Sequence, residues 1–352
     1  MRVRASAGLR RLLKIHELVA SPTTVHWGYF DCDLSPVLTV ADGDLVRIEA
    51  VTHQAGDAPD LLMDLGISQI FDSVTDRGPG PHILTGPIAV EGAEPGDVLE
   101  VTILAADPRL PWGTNLAAHW GHLYRCFGKE RVTVYSLDTA AGLARAAFAY
   151  DWTTTSLADA PGTVVAPDPA ARQPALDGVA VPLRPHFGTM GVAPPLPGRH
   201  SSIPPGDWGG NIDNWRIGPG ATMYYPVAVP GALLSVGDPH VSQGDGEVSG
   251  TALEASLNGL LRLCVRRDMG IRFPLLLTPA AWTVHGFGDD LDEAMAVAAE
   301  RLLYFLVDHL HLSSDDAYSL MSVACDFTVT QVVDGRLGVH GSVERRLFTG
   351  AP

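Results

Sequence analysis

"DGDLVRIEAV", residues 42–51, sets a Gly-Asp turn ahead of a run in which apolar and charged side chains alternate. A period of two puts Val46, Ile48 and Ala50 on one face and Arg47 and Glu49 on the other, the pattern of a β-strand with one buried side. "EPGDVLEVTI" (94–103) opens in the same way, with a Gly-Asp turn feeding a strand. "RVTVYSL" (131–137), "ATMYYPVAV" (221–229) and "CDFTVTQVVD" (325–334) carry similar alternation. The 37 glycines and 27 prolines break the chain between such segments. The expectation is a mainly β fold, a sandwich or barrel-like core joined by tight Gly/Pro-rich turns.

Helix enters late. "DDLDEAMAVAAERLLYFLVDHL" (289–310) begins with acids in its first turn and spaces Ala294, Val297, Ala298, Leu302 and Phe305 as a helical stripe. "SSDDAYSLMSVA" (313–324) reads as a second helix, with Ser313 or Ser314 as its N-cap. Two C-terminal helices therefore cover the β core, giving an α+β domain over residues 18–352. Residues 1–17 read as an N-terminal extension, basic up to Lys14 and without the continuous apolar core of a secretory signal.

The bulk composition excludes several function classes. At 352 residues, 46% hydrophobic, the chain is long enough to bury a sizeable core. A formal charge of −16 repels phosphate backbones and anionic lipid, so neither nucleic acid nor a membrane surface is expected as a partner. No apolar run approaches the roughly 20 residues that span a bilayer. Cys32, Cys126, Cys264 and Cys325 lie far apart with no C-x-x-C pair. That usage fits reduced thiols in a cytoplasm better than disulfides or a thiolate zinc site.

"SVGDPHVSQGDGEVSG" (235–250) gathers Asp238, His240, Gln243, Asp245 and Glu247 among glycines. Upstream, "PPGDWGGNIDNWRIGPGA" (204–221) supplies Asp207, Asn211, Asp213 and Asn214. A hairpin-like return through "TMYYPVAV" is expected to bring the two clusters into one pocket. Asp238 and His240, two apart, would share one face of an extended strand, as a metal pair needs. Hard oxygens suit Ca²⁺ or Mg²⁺, and an added imidazole shifts the preference toward Zn²⁺, Mn²⁺ or Fe²⁺. Turn capping accounts equally well for any one of these acids, but less well for two dense clusters. His186 in "RPHFGTMGVAP" and His53 in "AVTHQAG" are flanked by small residues and join the candidate ligands. No G-x-S-x-G elbow, phosphate-binding loop or dinucleotide fingerprint is present, and nothing marks Cys126 as a nucleophile. A metal-activated water is the better-supported chemistry.

The segments "HWGYFD" (26–31), "GPIAVEGAEPGDVLEVTIL" (86–104), "HFGTMGVAP" (186–194), "GGNIDNWRIGPGATMYYPVAVPGALLSVGDPHVSQGDGE" (209–247) and "SSDDAYSLMSVACDFTVTQVVDG" (313–335) resemble the acetamidase/formamidase family. The resemblance implies a cytoplasmic, mainly β enzyme, a homo-oligomer of two or more chains, that hydrolyses short aliphatic amides to carboxylate and ammonia. It also implies a divalent metal, with zinc the first choice and calcium, manganese or iron as alternatives. "DWGG" at 207–210 stands where formamidase-like members carry His-Gly-Gly, which places the chain nearer the acetamidase-like branch. On this reading Asn211, Asp213, Asp238, His240, His186 and His53 hold metal. Glu247 serves as general acid/base with Asp245 as a second catalytic acid, while Gln243 and Gly210 contact substrate. The alternative is a metal-stabilised β-sandwich that binds a small molecule or sugar without turnover.

Overall fold

A computed structural model describes residues 13–152, 162–164 and 169–348 of the chain. The opening stretch forms the strand Leu45–Ala50, with Val46, Ile48 and Ala50 buried and Arg47 exposed. It pairs antiparallel with Leu257–Arg266 and parallel with Ile15–Leu18. Part of the stretch read as an extension is therefore an edge strand, while residues 1–12 lie outside the described residues.

These strands belong to a nine-stranded sheet, which continues through Val98–Pro108, Thr222–Pro226, Leu275–Leu277, Ala281–Gly288 and Leu337–Glu344 to Cys325–Gln331. An eleven-stranded sheet contains Glu130–Asp138, Ile83–Val90, His186–Gly191 and Leu234–Ser242. The core fills the space between them: Val46, Ile48, Val101 and Leu261 of the first sheet meet Phe187, Met190, Leu234 and Val236 of the second. Removing each such side chain from water is worth about 1.5–3 kcal/mol. The fold is the mainly β sandwich with helical cover that the alternation predicts.

The two late helices form as Leu291–Asp308 and Ser314–Ala324. Asp290 caps the first by accepting from the Glu293 backbone N–H, and Ser313 caps the second through Asp316 N–H. Ala294, Ala298, Leu302 and Phe305 are buried, and Val297 is half-buried. The small Ala294 and Ala298 let the helix press onto the sheet so closely that a Cβ on Gly286 would lie 2.3 Å from the Ala298 nitrogen. A further helix, Leu65–Ser73, is capped by Asp64 and buries Ile67, Ile70 and Phe71. Helix thus enters earlier in the chain than the sequence reading places it, as a short segment among loops. Among the described residues, no helix is long and apolar enough to cross a membrane.

Candidate active site

The two acidic clusters do meet, though not through a hairpin. Thr222–Pro226 runs in the nine-stranded sheet, paired with Val98–Pro108 and Leu275–Leu277 and not with either cluster. The strand His186–Gly191 instead pairs on one side with Gly209–Asn211 and on the other with Leu234–Ser242. It thus acts as the common partner that draws Asp213 and Asp238 together.

That register sets Gly188 opposite Asp238, between the pairs Phe187↔Pro239 and Thr189↔Gly237. A Cβ on Gly188 would lie 2.5 Å from Asp213 Oδ1, 2.5 Å from His240 Cε1 and 2.7 Å from Asp238 Oδ2. The hydrogen of glycine is what leaves this cradle open. Asp213, Asp238 and Glu247 hold φ at 54°, 48° and 48°, in the left-handed region that residues with a Cβ seldom occupy. Such backbone costs on the order of 1–3 kcal/mol per residue and gathers at functional sites.

Around the cradle the side chains converge. His240 Nε2 lies 3.2 Å from Asp238 Oδ2 and 3.1 Å from Glu254 Oε1. His53 Nδ1 and His82 Nε2 each stand 3.7 Å from an Asp238 oxygen. The Ser202 carbonyl accepts from His82 Nδ1–H at 3.1 Å, which turns Nε2 toward Asp238. His186 sits one layer behind: its Nδ1 donates to the Arg184 carbonyl at 2.6 Å, and its Nε2 lies 3.1 Å from His240 Nδ1. Gln243 braces the same layer, with Oε1 2.8 Å from His186 Nε2 and Nε2 donating to the Asp213 carbonyl at 2.7 Å.

Charge in this site is strongly perturbed. Burial, with repulsion from Asp213, pushes the Glu247 carboxyl well above its ordinary range. Burial with repulsion from Asp213 and Glu247 does the same to Asp334. Glu254 is pushed up to about 7, chiefly by burial, with His240 opposing the shift. Asp238 goes the other way: burial opposes ionisation, but His82 and His240 hold its carboxyl below the usual range. At His240 burial disfavours the cation, yet Glu254 and Asp238 raise it well above an ordinary imidazole. Burial and His82 drive His53 down to about 3. The site therefore calls for positive charge beside His240 Nε2.

Among the described residues, four buried atoms of this group have no hydrogen-bond partner: His53 Nδ1, Asp213 Oδ1, Glu247 Oε2 and Asp334 Oδ2. Leaving one such atom unpaired costs about 1–3 kcal/mol, so their gathering points to a ligand that satisfies them together. Groups of His53, His82 and Asp238, of Asp238, His240 and Glu254, and of Asp213, His240 and Glu247 each bring ligand atoms within 4.8 Å of one another. Mixed imidazole and carboxylate donors around an open Gly188 fit a divalent cation. The cluster borders a cavity of about 320 Å³.

Of the residues singled out in the sequence, His53, Asp213, Asp238, His240 and Glu247 come together here. Asn211 lines the cavity and accepts from the Thr189 hydroxyl. Gln243 and His186 stand behind the cluster. Asp245 is turned away into an ion pair with Arg216 at 2.9 Å and accepts from Trp215 Nε1. Gly210 pairs with Met190, apart from the cavity. Sequence reasoning missed His82, Glu254 and Asp334. His82, in "GPGPHIL", has the Gly/Pro setting that singled out His186 and was open to the same argument. Glu254 ("TALEASL") and Asp334 ("VVDG") stand alone in their segments, with no neighbouring donor to mark them.

Fold and site together define a β-sandwich protein whose eleven-stranded sheet holds a buried imidazole–carboxylate centre. The chain belongs to the acetamidase/formamidase family, whose model matches residues 16–201 and 198–336. It is 30% identical over 250 residues to the acetamidase of Mycolicibacterium smegmatis, a match covering 62% of this chain and 60% of that protein. A formamidase of Methylophilus methylotrophus is 27% identical over 257 residues, covering 62% of this chain and 58% of the relative. The matches thus span about three-fifths of these relatives' length. The crystal structure of an acetamidase from Bacillus halodurans superposes with a TM-score of 0.75 at 26% identity, covering 94% of this chain and 98% of that one.

Proposed function

We propose that the protein hydrolyses linear primary amides to carboxylate and ammonia, with formamide and acetamide as the simplest substrates. The observation that carries this reading is the set of unpartnered, buried imidazole and carboxylate atoms beside a cavity. The names of the relatives supply the bond: both act on an amide. His82, Asp238, His240 and Glu254, with His53 and Asp213 beside them, would hold a divalent ion, and their mixed donors favour Zn²⁺, Mn²⁺ or Fe²⁺ over Ca²⁺. Such an ion supplies Lewis acidity, polarising a carbonyl oxygen and easing deprotonation of water near neutral pH.

The chain's own residues carry the protons. Burial raises the proton affinity of Glu247, whose Oε2 is unpartnered, so that its carboxylate is a strengthened base. It accepts a proton from the attacking water and delivers one to the departing nitrogen, a shuttle typical of general acid–base catalysis. Water oxygen bonds to the carbonyl carbon, the C–N bond breaks, and the water proton ends on ammonia. His186 and Gln243 keep His240 and the Asp213 backbone in place.

Four free cysteines are consistent with a cytoplasmic setting, and sedimentation of the purified protein tests the homo-oligomer reading. The decisive experiment for activity is ammonia release from acetamide before and after chelation and dialysis. Loss on chelation and recovery with one of these ions supports the reading. Full activity in metal-free protein refutes the metal-dependent part, and no ammonia from any primary amide refutes the whole.

A further inference from the structure

The cavity that borders the imidazole–carboxylate cluster is larger and less polar than acetamide needs. At roughly 30 Å³ per molecule of liquid water, a volume of about 320 Å³ corresponds to about ten waters, of which acetamide displaces about three. Besides the cluster, its lining includes Leu116, Trp120, Ile203 and Val333, with Pro79 and Pro81. Leu116 and Val333 are buried and Trp120 and Ile203 half-buried. Water held against such surfaces is easily displaced by an apolar group, and pockets of this size and mixed character are those that enclose a larger ligand.

The apolar part is also held in shape. Trp120 Nε1 donates to the Gly250 carbonyl at 2.8 Å, which fixes the indole plane, and the His119 ring meets it edge-on with centroids 5.1 Å apart. Gly250 takes φ of 115° and comes so close that a Cβ there would lie 3.1 Å from the indole nitrogen. Leu116 comes from the strand Trp112–Ala117, whose neighbour Asn115 donates to the Thr251 and Ala252 carbonyls, so the wall is tied to the segment that carries Gly250. An aromatic plane locked by its own polar handle is a preformed apolar surface.

We propose that the preferred substrates are primary amides with an apolar acyl group of about four to eight carbons, aryl groups of that size included, packed against Trp120, Leu116 and Ile203. This rests on the amidase reading and extends it from the bond broken to the group carried. The cluster takes the carboxamide, while the acyl chain leaves water for the indole and the aliphatic side chains. Each methylene so transferred is worth roughly fourfold in binding, so four of them allow up to a few hundredfold.

The test compares kcat/KM of the metal-loaded protein for acetamide, hexanamide and phenylacetamide. Values for the two larger amides at least tenfold above acetamide are expected, and acetamide equal or better overturns the proposal. Trp120→Ala should shrink the hexanamide-to-acetamide ratio at least fivefold. Ile203→Trp, a change at a half-buried position, should fill the cavity and penalise hexanamide more than acetamide. An unchanged ratio in both variants also overturns it. Calorimetry with phenylacetate and acetate separates the two readings. Phenylacetate binding at least tenfold tighter upholds the apolar pocket even where no amide is turned over, a result that sinks the amidase reading alone, whereas equal binding overturns the pocket.

Discussion

Asp238 Oδ2 lies 3.2 Å from His240 Nε2, although the two residues are separated only by Pro239 in the strand Leu234–Ser242. Asp238 departs from that strand's extended backbone, with φ at 48°. Strand alternation puts the two side chains on one face; the left-handed backbone then aims the carboxylate into the cradle beside Gly188. Position and aim thus have separate causes, and only the first is visible in D-P-H spacing.

Asp238→Asn should lose bound metal and amide turnover together while keeping the fold. Asn tolerates the left-handed backbone at least as well as Asp, so the change removes charge and leaves conformation. A neutral oxygen holds a divalent cation far more weakly than a carboxylate does. His240→Ala should have the same double effect. Metal per chain and kcat, measured on one preparation with a circular dichroism control, check the pair. Stoichiometric metal with near-normal turnover in either variant removes that residue from the ligand set.

Glu247→Gln should separate proton transfer from ligand binding. Gln keeps the size and an acceptor oxygen but carries no transferable proton, so a shuttle role predicts kcat down by roughly 10²–10⁴-fold with metal retained. A ligand role instead predicts that metal content falls in step with rate. The left-handed φ of 48° at this position strains Gln as it does Glu, so stability should change little.

How far the sequence reveals this site follows from what each residue does alone. Alternation in 42–51 and 94–103, and the stripe through Ala294 and Phe305, report burial directly, so sheets and late helices were legible. The glycine-spaced clusters at 207–214 and 235–250 also announce themselves, because several donors crowd a loose backbone. His82, Glu254 and Asp334 come from three other segments and join the cluster only because the sheets bring them there. Asp245 shows the converse: it sits amid the densest motif, yet Arg216 and Trp215 claim its carboxylate. Local density names a neighbourhood, and the direction of each side chain is decided by tertiary partners.

Gly188→Ala is the most economical probe of the cradle. Gly188 does not hold a positive φ, so alanine is conformationally acceptable there. Its methyl would nonetheless press against Asp213 Oδ1, His240 and Asp238 Oδ2. Overpacking of this kind costs about 1–3 kcal/mol and displaces whatever those atoms bind. The expected result is a kcat lowered by about 100-fold or more, weaker metal retention on dialysis and a Tm lower by only a few degrees. Wild-type turnover and metal content would show that the cradle has no part in binding.

His26 provides a pH test remote from the cluster. It is buried, its Nε2 lies 2.9 Å from Ser235 Oγ, and burial lowers it from 6.5 to about 4. Its folded form resists protonation while the unfolded chain takes up a proton near pH 6.5. The stability it contributes is therefore fully present above pH 6.5 and is lost as pH falls through about 4. Buried carboxyls with raised values, such as Asp57 at about 8, oppose this slope, because they lose stability as pH rises instead. A difference between variants isolates the single imidazole. His26→Gln cannot take up the proton, so its stability relative to wild type should improve steadily between pH 6.5 and 4, by roughly 3 kcal/mol at most at 1.36 kcal/mol per pKa unit. Paired urea titrations at half-unit steps measure the difference, and a ΔΔG that stays flat across that window would mean His26 is protonated in the folded protein or hydrated there.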